Sequence, residues 1–354
     1  MFHKTSALLQ TASAVLQKNM YTGLSDRSLA LFARTSRYAN QLARSELTER
    51  GVKKLLNHVI HGEQAEAKAM IEKSPNLLLE TGRVTDYSGR TIEGTAFQLA
   101  LGAEDVATQD GEECMAEMIK RYLLEFYTQE IMTEQYQAQF PEGWEIQEEK
   151  RVANDLAALY KVLDAIGKAK PTDTSYKACE DACESALVEF REYLESQAKA
   201  GIIKTGKHCN VQLLAEAFKL YDENYTAFGD SWDSPKNLLS WRKVCGFIQR
   251  YLPTCYAQAF SQGICYISEG KEPLKRSLEF RNDPGCFFFP LGVSRSGLGF
   301  NFAVIFVGTA VEAPGRPARP LSYKTYFEQK RQRSKSYAAI QQSAEARVCR
   351  NVVC

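Results

Sequence analysis

Lys53-Lys54-Leu55-Leu56-Asn57-His58-Val59-Ile60-His61-Gly62, followed by the segment from Gln64 to Ser74, is the stretch on which the fold turns. Leu55 and Val59 in the first part, and Ala67, Met70 and Ile71 in the second, recur at helical spacing and so line one face of each segment. Gly62 breaks the run between them. Residues 52–61 and 64–74 therefore read as two short helices that share an apolar face.

Working outward, Leu24, Leu29, Phe32, Ser36, Ala39 and Ala43 keep the same spacing, with Ser25 and Asp26 placed to cap the first exposed amides; this predicts a helix over 26–43. Downstream, Thr81 to Gly94 is rich in Gly, Thr, Ser and Asp, which favour turns, and leads to Thr95 as the cap of a helix ending near Ala103. A second pair closes with Cys114 to Phe126. From Tyr127 to Tyr225 the pattern stays helical, with segments at 145–167, 176–200 and 210–226 that read as a bundle, and Pro235 to Glu269 reads as further helices interrupted at Pro253.

The texture then changes. Arg276 to Arg281, Cys286 to Leu291 and Leu298 to Gly308 are aromatic and β-branched, with Asn282-Asp283-Pro284-Gly285 and Ser294-Arg295-Ser296-Gly297 between them, which predicts a small antiparallel sheet near the C-terminus. Pro314, Pro317 and Pro320 form a linker into a basic helix over 322–347. The expected fold is mainly α, helix pairs plus a helical bundle, with that sheet making it α+β.

At 354 residues there is room for two or three domains, and 44% hydrophobic with 25% charged residues is ordinary globular usage, which sets aside disordered and fibrous classes. The net charge of +1 is uninformative, but its distribution is not. Glu104 to Lys150 holds thirteen acidic residues against three basic, whereas Arg316 to Arg350 holds nine basic against two acidic. The ten cysteines are scattered without a tight framework, as expected of reduced thiols in a reducing compartment. Gln10, Thr11 and Ser13 break up the apolar Ala7-Leu8-Leu9 before it reaches the length of a signal peptide, so a cytoplasmic location is expected, with any export using a route without a Sec signal. Phe302 to Val311 is too short for a membrane helix, and Asn351 stands where a prenylated cysteine would have to be.

Two motifs carry a resemblance. Lys53 to Gly62 resembles an ankyrin unit, Thr95-Ala96-Phe97-Gln98-Leu99-Ala100-Leu101 resembles the Thr-Pro-Leu-His-x-Ala-Ala box, and Asp86-Tyr87-Ser88-Gly89-Arg90-Thr91 resembles the turn that opens such repeats. The boxes start 42 residues apart, at Lys53 and Thr95, against the ~33 of a standard repeat, which places an insertion between them. Leu24-Ser25-Asp26-Arg27-Ser28-Leu29-Ala30-Leu31-Phe32-Ala33-Arg34-Thr35-Ser36-Arg37-Tyr38 resembles the second half of an F-box without its Leu-Pro opening. The alternative reading is a capping helix for the ankyrin-like unit.

Together these features, over residues 24–124, resemble the ankyrin- and F-box-bearing candidate effectors of Legionella-type intracellular bacteria; the aromatic stretches Tyr251 to Phe260 and Gly297 to Phe302 also look typical of that group. The resemblance implies host-protein binding without a defined reaction. The chain as a whole divides into 1–45 (F-box-like or capping helices), 46–126 (ankyrin-like unit), 127–235 (bundle, to which the resemblance adds nothing), 236–312 (helices plus sheet) and 313–354 (linker and basic tail). The expected partner-binding residues are Asp86, Tyr87, Arg90, Phe97 and Gln98, because stacked helix pairs present a concave surface to proteins. Leu29, Leu31 and Phe32 would recruit a ubiquitin-ligase adaptor if the F-box-like reading holds.

Catalytic sets are thin, and neither a catalytic residue nor a cofactor is assigned. Cys179 and Cys183 share a helix face and, with His208 and Cys209, offer zinc-type ligands, but paired Cys-x-x-Cys spacing is missing, so no metal is assigned. Cys286 and Arg295 are separated by eight residues where a phosphatase loop needs five. Gly292, Gly297 and Gly299 lack the Lys-Ser/Thr of a phosphate-binding loop. The rival from another class is an enzyme in the C-terminal aromatic sheet, using Cys286, Arg281 or Arg295 and His208. The cations of the tail, interleaved with Tyr323, Tyr326, Phe327 and Tyr337, suit anionic lipid or nucleic acid, or the chain's own acidic stretch from Glu104 to Lys150.

Overall fold

The structure is a computed structural model, and it describes residues 21–85, 91–106, 113–141, 143–171, 174–199, 211–229, 231, 233–249, 251–262, 264–268, 272–274, 324–332 and 335. Helices dominate, and the described strands form one two-stranded sheet.

Ser25 opens helix α1 (Asp26–Ala33) by accepting from the Ser28 amide at 3.2 Å, and Ser36 does the same for Ala39 at 3.0 Å to open α2 (Arg37–His61). The helix expected over 26–43 is thus divided at 34–36, while the gap expected between 43 and 52 is filled. Its residues, such as Arg44, Glu46 and Glu49, are polar and leave no apolar period to read. Arg50 ties the continuous helix back to the segment before α1, donating to the carbonyls of Tyr21 (2.8 Å) and Leu24 (2.6 Å) and to the carboxylates of Asp26 and Glu46.

Gly62, at φ 70°, ends α2: its amide returns to the Val59 carbonyl and that of Glu63 to His58, which satisfies two orphan carbonyls of the last turn. Helix α3 (Gln64–Lys73) follows, then a 3-10 turn over Pro75–Leu79. The stretch expected to be only turn instead contains strands β1 (Gly82–Thr85) and β2 (Thr91–Gly94), antiparallel with Val84 opposite Ile92. Both of those residues are buried while Arg83, Thr85, Thr91 and Glu93 face outward, the alternation of a half-buried hairpin. A side chain at Gly82 would meet Leu56 and Val52 at 2.9 Å, so glycine lets the base of the hairpin press onto α2.

Thr95 caps α4 (Ala96–Gly102) in a reciprocal capping box with Gln98, as the sequence indicates for Thr95. Helices α5 (Met115–Phe126) and α6 (Gln129–Gln139) complete this half. Its core joins Leu55, Leu56 and Ile71 to Phe97, Ile119, Tyr136 and Phe140, so it runs past the boundary expected at 126. Buried Gln135 on α6 holds the assembly together: its side chain donates to the Leu78 carbonyl (3.0 Å) and accepts from the Thr95 hydroxyl (2.7 Å).

The second half is built from α7 (Trp144–Lys168), α8 (Tyr176–Lys199) and α9 (Val211–Phe228). Next come α10 (Pro235–Leu239), a π turn over Ser240–Cys245, α11 (Gly246–Gln249), α12 (Thr254–Gln262) and α13 (Ile264–Ser268). Pro253 stands between α11 and α12, as expected. One core unites Leu159, Phe190, Phe218 and Tyr221 with Trp241, Phe247 and Phe260, so the boundary drawn at 235 does not separate two cores. The Phe218 and Tyr221 rings lie 5.7 and 5.0 Å from Trp241. Residues 324–332 form α14, inside the expected 322–347 helix, and place Tyr326 and Phe327 in the same core. The C-terminal strands expected over 276–281, 286–291 and 298–308 lie outside the described residues; the sheet that is described stands at 82–94. No helix among the described residues is long and apolar enough to cross a membrane.

Candidate functional site

Of the residues expected to bind a partner, Asp86, Tyr87 and Arg90 lie outside the described residues, in the connection between β1 and β2. Phe97 is 1% exposed in the core, which takes its ring off the expected surface and corrects that assignment. Its apolar box position makes it a packing residue. Gln98 is partly exposed but committed: it accepts from the Thr95 amide (2.9 Å) and donates to the Gln135 backbone carbonyl (3.1 Å). What the hairpin does present is its outward edge, where Arg83 and Glu93 pair across the strands at 2.6 Å beside exposed Thr85 and Thr91.

The F-box-like trio is split. Leu29 is fully buried against Tyr21, Ala33 and Ala43, the Phe32 ring lies 5.7 Å from that of Tyr21, and Leu31 is 54% exposed. Two of the three therefore pack α1 onto α2.

Cys179 and Cys183 do share one face of α8, as their spacing dictates, and both are buried. Burial raises both thiols, that of Cys183 to about 11, so they stay protonated and unreactive at neutral pH. Their proposed companions His208 and Cys209 lie outside the described residues, as do Arg281, Cys286 and Arg295. No group of three metal-ligating side chains occurs among the described residues.

The most unusual chemistry lies where the two halves meet. Helix α4 ends in the same way as α2: the Glu104 amide returns to the Leu101 carbonyl and the Asp105 amide to Ala100, both at 3.0 Å. The geometry demands a left-handed residue, which α2 supplies as Gly62. Here it is Glu104, at φ 54°, a conformation that costs a residue with a side chain ~1–2 kcal/mol. The Ala103 carbonyl, freed by the end of α4, accepts from the Cys255 amide at 3.2 Å, an orphan donor in the first turn of α12. The Glu104 carbonyl accepts from the Lys330 ammonium at 3.0 Å, although Lys330 is only 3% exposed.

The Glu104 side chain also has a task. Its carboxyl lies deep among protein atoms although the residue keeps partial contact with solvent; lost hydration raises its pKa, against a hydrogen bond from the Tyr256 side chain and attraction to Lys330. Nearby, burial pushes the Cys114 thiol up to about 12, helped by Asp105. Around this polar knot Tyr256 meets Tyr326 and Phe327 edge-on at 5.4 and 5.3 Å, and the Tyr326 hydroxyl donates to the Cys255 carbonyl at 3.3 Å. Glu104, Tyr256 and Lys330 had no motif to announce them. The one signal in the sequence was the charge asymmetry, which pointed the basic tail at the stretch beginning at Glu104.

Among the described residues, these elements define a class no finer than a mainly helical chain of two large cores and a small N-terminal one, with a β-hairpin on the core of α2 to α6. No family model, curated protein or solved structure matches it.

Proposed function

We propose that the chain is a non-catalytic protein-interaction scaffold whose β1–β2 hairpin, with the connection over 86–90, meets a protein partner. The observation that carries this reading is how the hairpin is mounted. Its base is pressed onto α2 at Gly82 and runs at Gly94 into the Thr95 capping box, Val84 and Ile92 root it in the core, and its Thr85–Thr91 end is exposed on both strands. Anchored hairpins of this kind offer a preformed surface and so lose little conformational entropy on binding. The resemblance to ankyrin-bearing effectors supports a host-cell protein as the partner.

The test is a photo-crosslinking amino acid placed at Thr85 or Thr91 in the full chain, with Tyr160 and Val188 on α7 and α8 as control positions. The proposal expects one and the same protein to be crosslinked from both hairpin positions and from neither control. Crosslinks that are equal at all four positions, or confined to α7 and α8, refute it.

A further inference from the structure

Helix α14 meets the body along one stripe. Tyr326, Phe327 and Lys330 are buried, whereas Lys324, Thr325, Glu328, Gln329, Arg331 and Gln332 are exposed, so the docked residues fall at i, i+1 and i+4 of an amphipathic helix. Their seat is made by other parts of the chain. Tyr256 and Phe260 of α12 supply the rings, Phe260 lying 6.1 Å from Phe327, and the left-handed turn after α4 supplies the Glu104 carbonyl and carboxyl for the ammonium. This is the arrangement of a helical ligand in a groove, with aromatic anchors and one charged group fixing its register. A left-handed Glu where Gly would be unstrained is the second, independent sign that the seat is specialised, because the strain is retained together with a carboxyl that accepts a hydrogen bond from Tyr256 of the groove and attracts the Lys330 ammonium.

We infer that the groove formed by α12 and the left-handed turn at Glu104 is a docking site for an amphipathic helix of the form aromatic-aromatic-x-x-Lys. Its occupant is the chain's own segment 324–332, held in cis as a releasable latch.

Hydrogen exchange on the full-length protein, read segment by segment, tests the latch, and a fluorescent peptide spanning residues 322–335 tests the groove. The expected result is that 324–332 opens on its own, exchanging about tenfold or more faster than α9. Phe327→Ala should speed the tail further and leave α9 unchanged. That variant should then bind the peptide about tenfold or more tightly than the wild type, whose groove is filled. Adding Tyr256→Ala should abolish the gain. Exchange of the tail together with α9 in either protein makes α14 a fixed part of the core and overturns the inference. So does equal peptide binding by wild type and Phe327→Ala, or binding that survives Tyr256→Ala.

Discussion

Gly62 and Glu104 occupy the same backbone position in two equivalent helix ends, and they differ in what the side chain contributes. At Gly62 nothing is strained. At Glu104 the left-handed conformation comes with backbone hydrogen bonds to Leu101 and from Lys330, and with a carboxyl that has the Tyr256 hydrogen bond and the attraction to Lys330. Removing the carboxyl while leaving the strain, as in Glu104→Ala, should destabilise the protein by about 1–2 kcal/mol in urea denaturation at pH 4.5, where the folded carboxyl keeps its proton and the Tyr256 hydrogen bond. Glu104→Gly should cost about 1 kcal/mol less than Glu104→Ala, since glycine is relaxed at this φ. A glycine variant no better than the alanine one would contradict the account of the turn. The pH dependence has a definite sign. A carboxyl whose folded-state pKa lies above its ordinary 4.5 holds its proton more firmly when folded, so its contribution to stability falls as pH rises from 4.5 through the raised value. Glu104→Gln, which cannot ionise, should gain stability relative to the wild type between pH 4.5 and pH 7. Parallel urea curves at the two pH values, with a constant difference between the proteins, would count against it. None of this was legible beforehand, because a glutamate in a left-handed turn has no sequence signature. Gly62 and Thr95 were legible because glycine and threonine are the residues that such ends prefer.

Among the elements, the contact that ties the start of α4 to α6 and the 3-10 turn is polar. The Thr95 hydroxyl faces both the Gln98 amide in its own first turn and the Gln135 side chain, and Gln135 in turn serves the Leu78 carbonyl. Thr95→Ala should therefore cost about 1–2 kcal/mol, the upper end of a cap loss, because a buried glutamine loses a partner as well. Thr95→Ser keeps the hydroxyl and should recover most of it. If alanine and serine melt alike, the network is not stabilising. Thr95 could be read as a cap from the sequence, but its tie to Gln135 spans forty positions and leaves no periodic trace. The hairpin went unread for a related reason. Each strand contributes one buried apolar side chain, Val84 or Ile92, and a single apolar residue flanked by turn formers does not show an alternation. The 43–52 stretch of α2 was missed because a polar segment can be helical when the ends of the helix are anchored and Arg50 fastens its middle.

Across the molecule, the two large cores among the described residues meet at the α4–α12 junction, and α14 bridges them by packing Tyr326 and Phe327 in one while Lys330 reaches the turn after α4 in the other. Of the sites the charge bias offered the tail, the described segment reaches the acidic stretch only at Glu104, and what holds it is two buried rings packed on α12 and one ammonium rather than a field of surface charge. Phe97 shows the limit of reading a surface from a motif. Being in the core, Phe97→Ala should cost about 3–5 kcal/mol and would lose any partner through unfolding, so it cannot report on recognition. Tyr87 and Arg90 can, provided that the fold is seen to survive. The decisive measurement is the calorimetric affinity of the hairpin-crosslinked partner for the full-length chain and for its Tyr87→Ala/Arg90→Ala variant, each checked for an unchanged urea midpoint. A scaffold that binds through its hairpin predicts a loss of about tenfold or more at constant stability, and an unchanged affinity in a folded variant would contradict it.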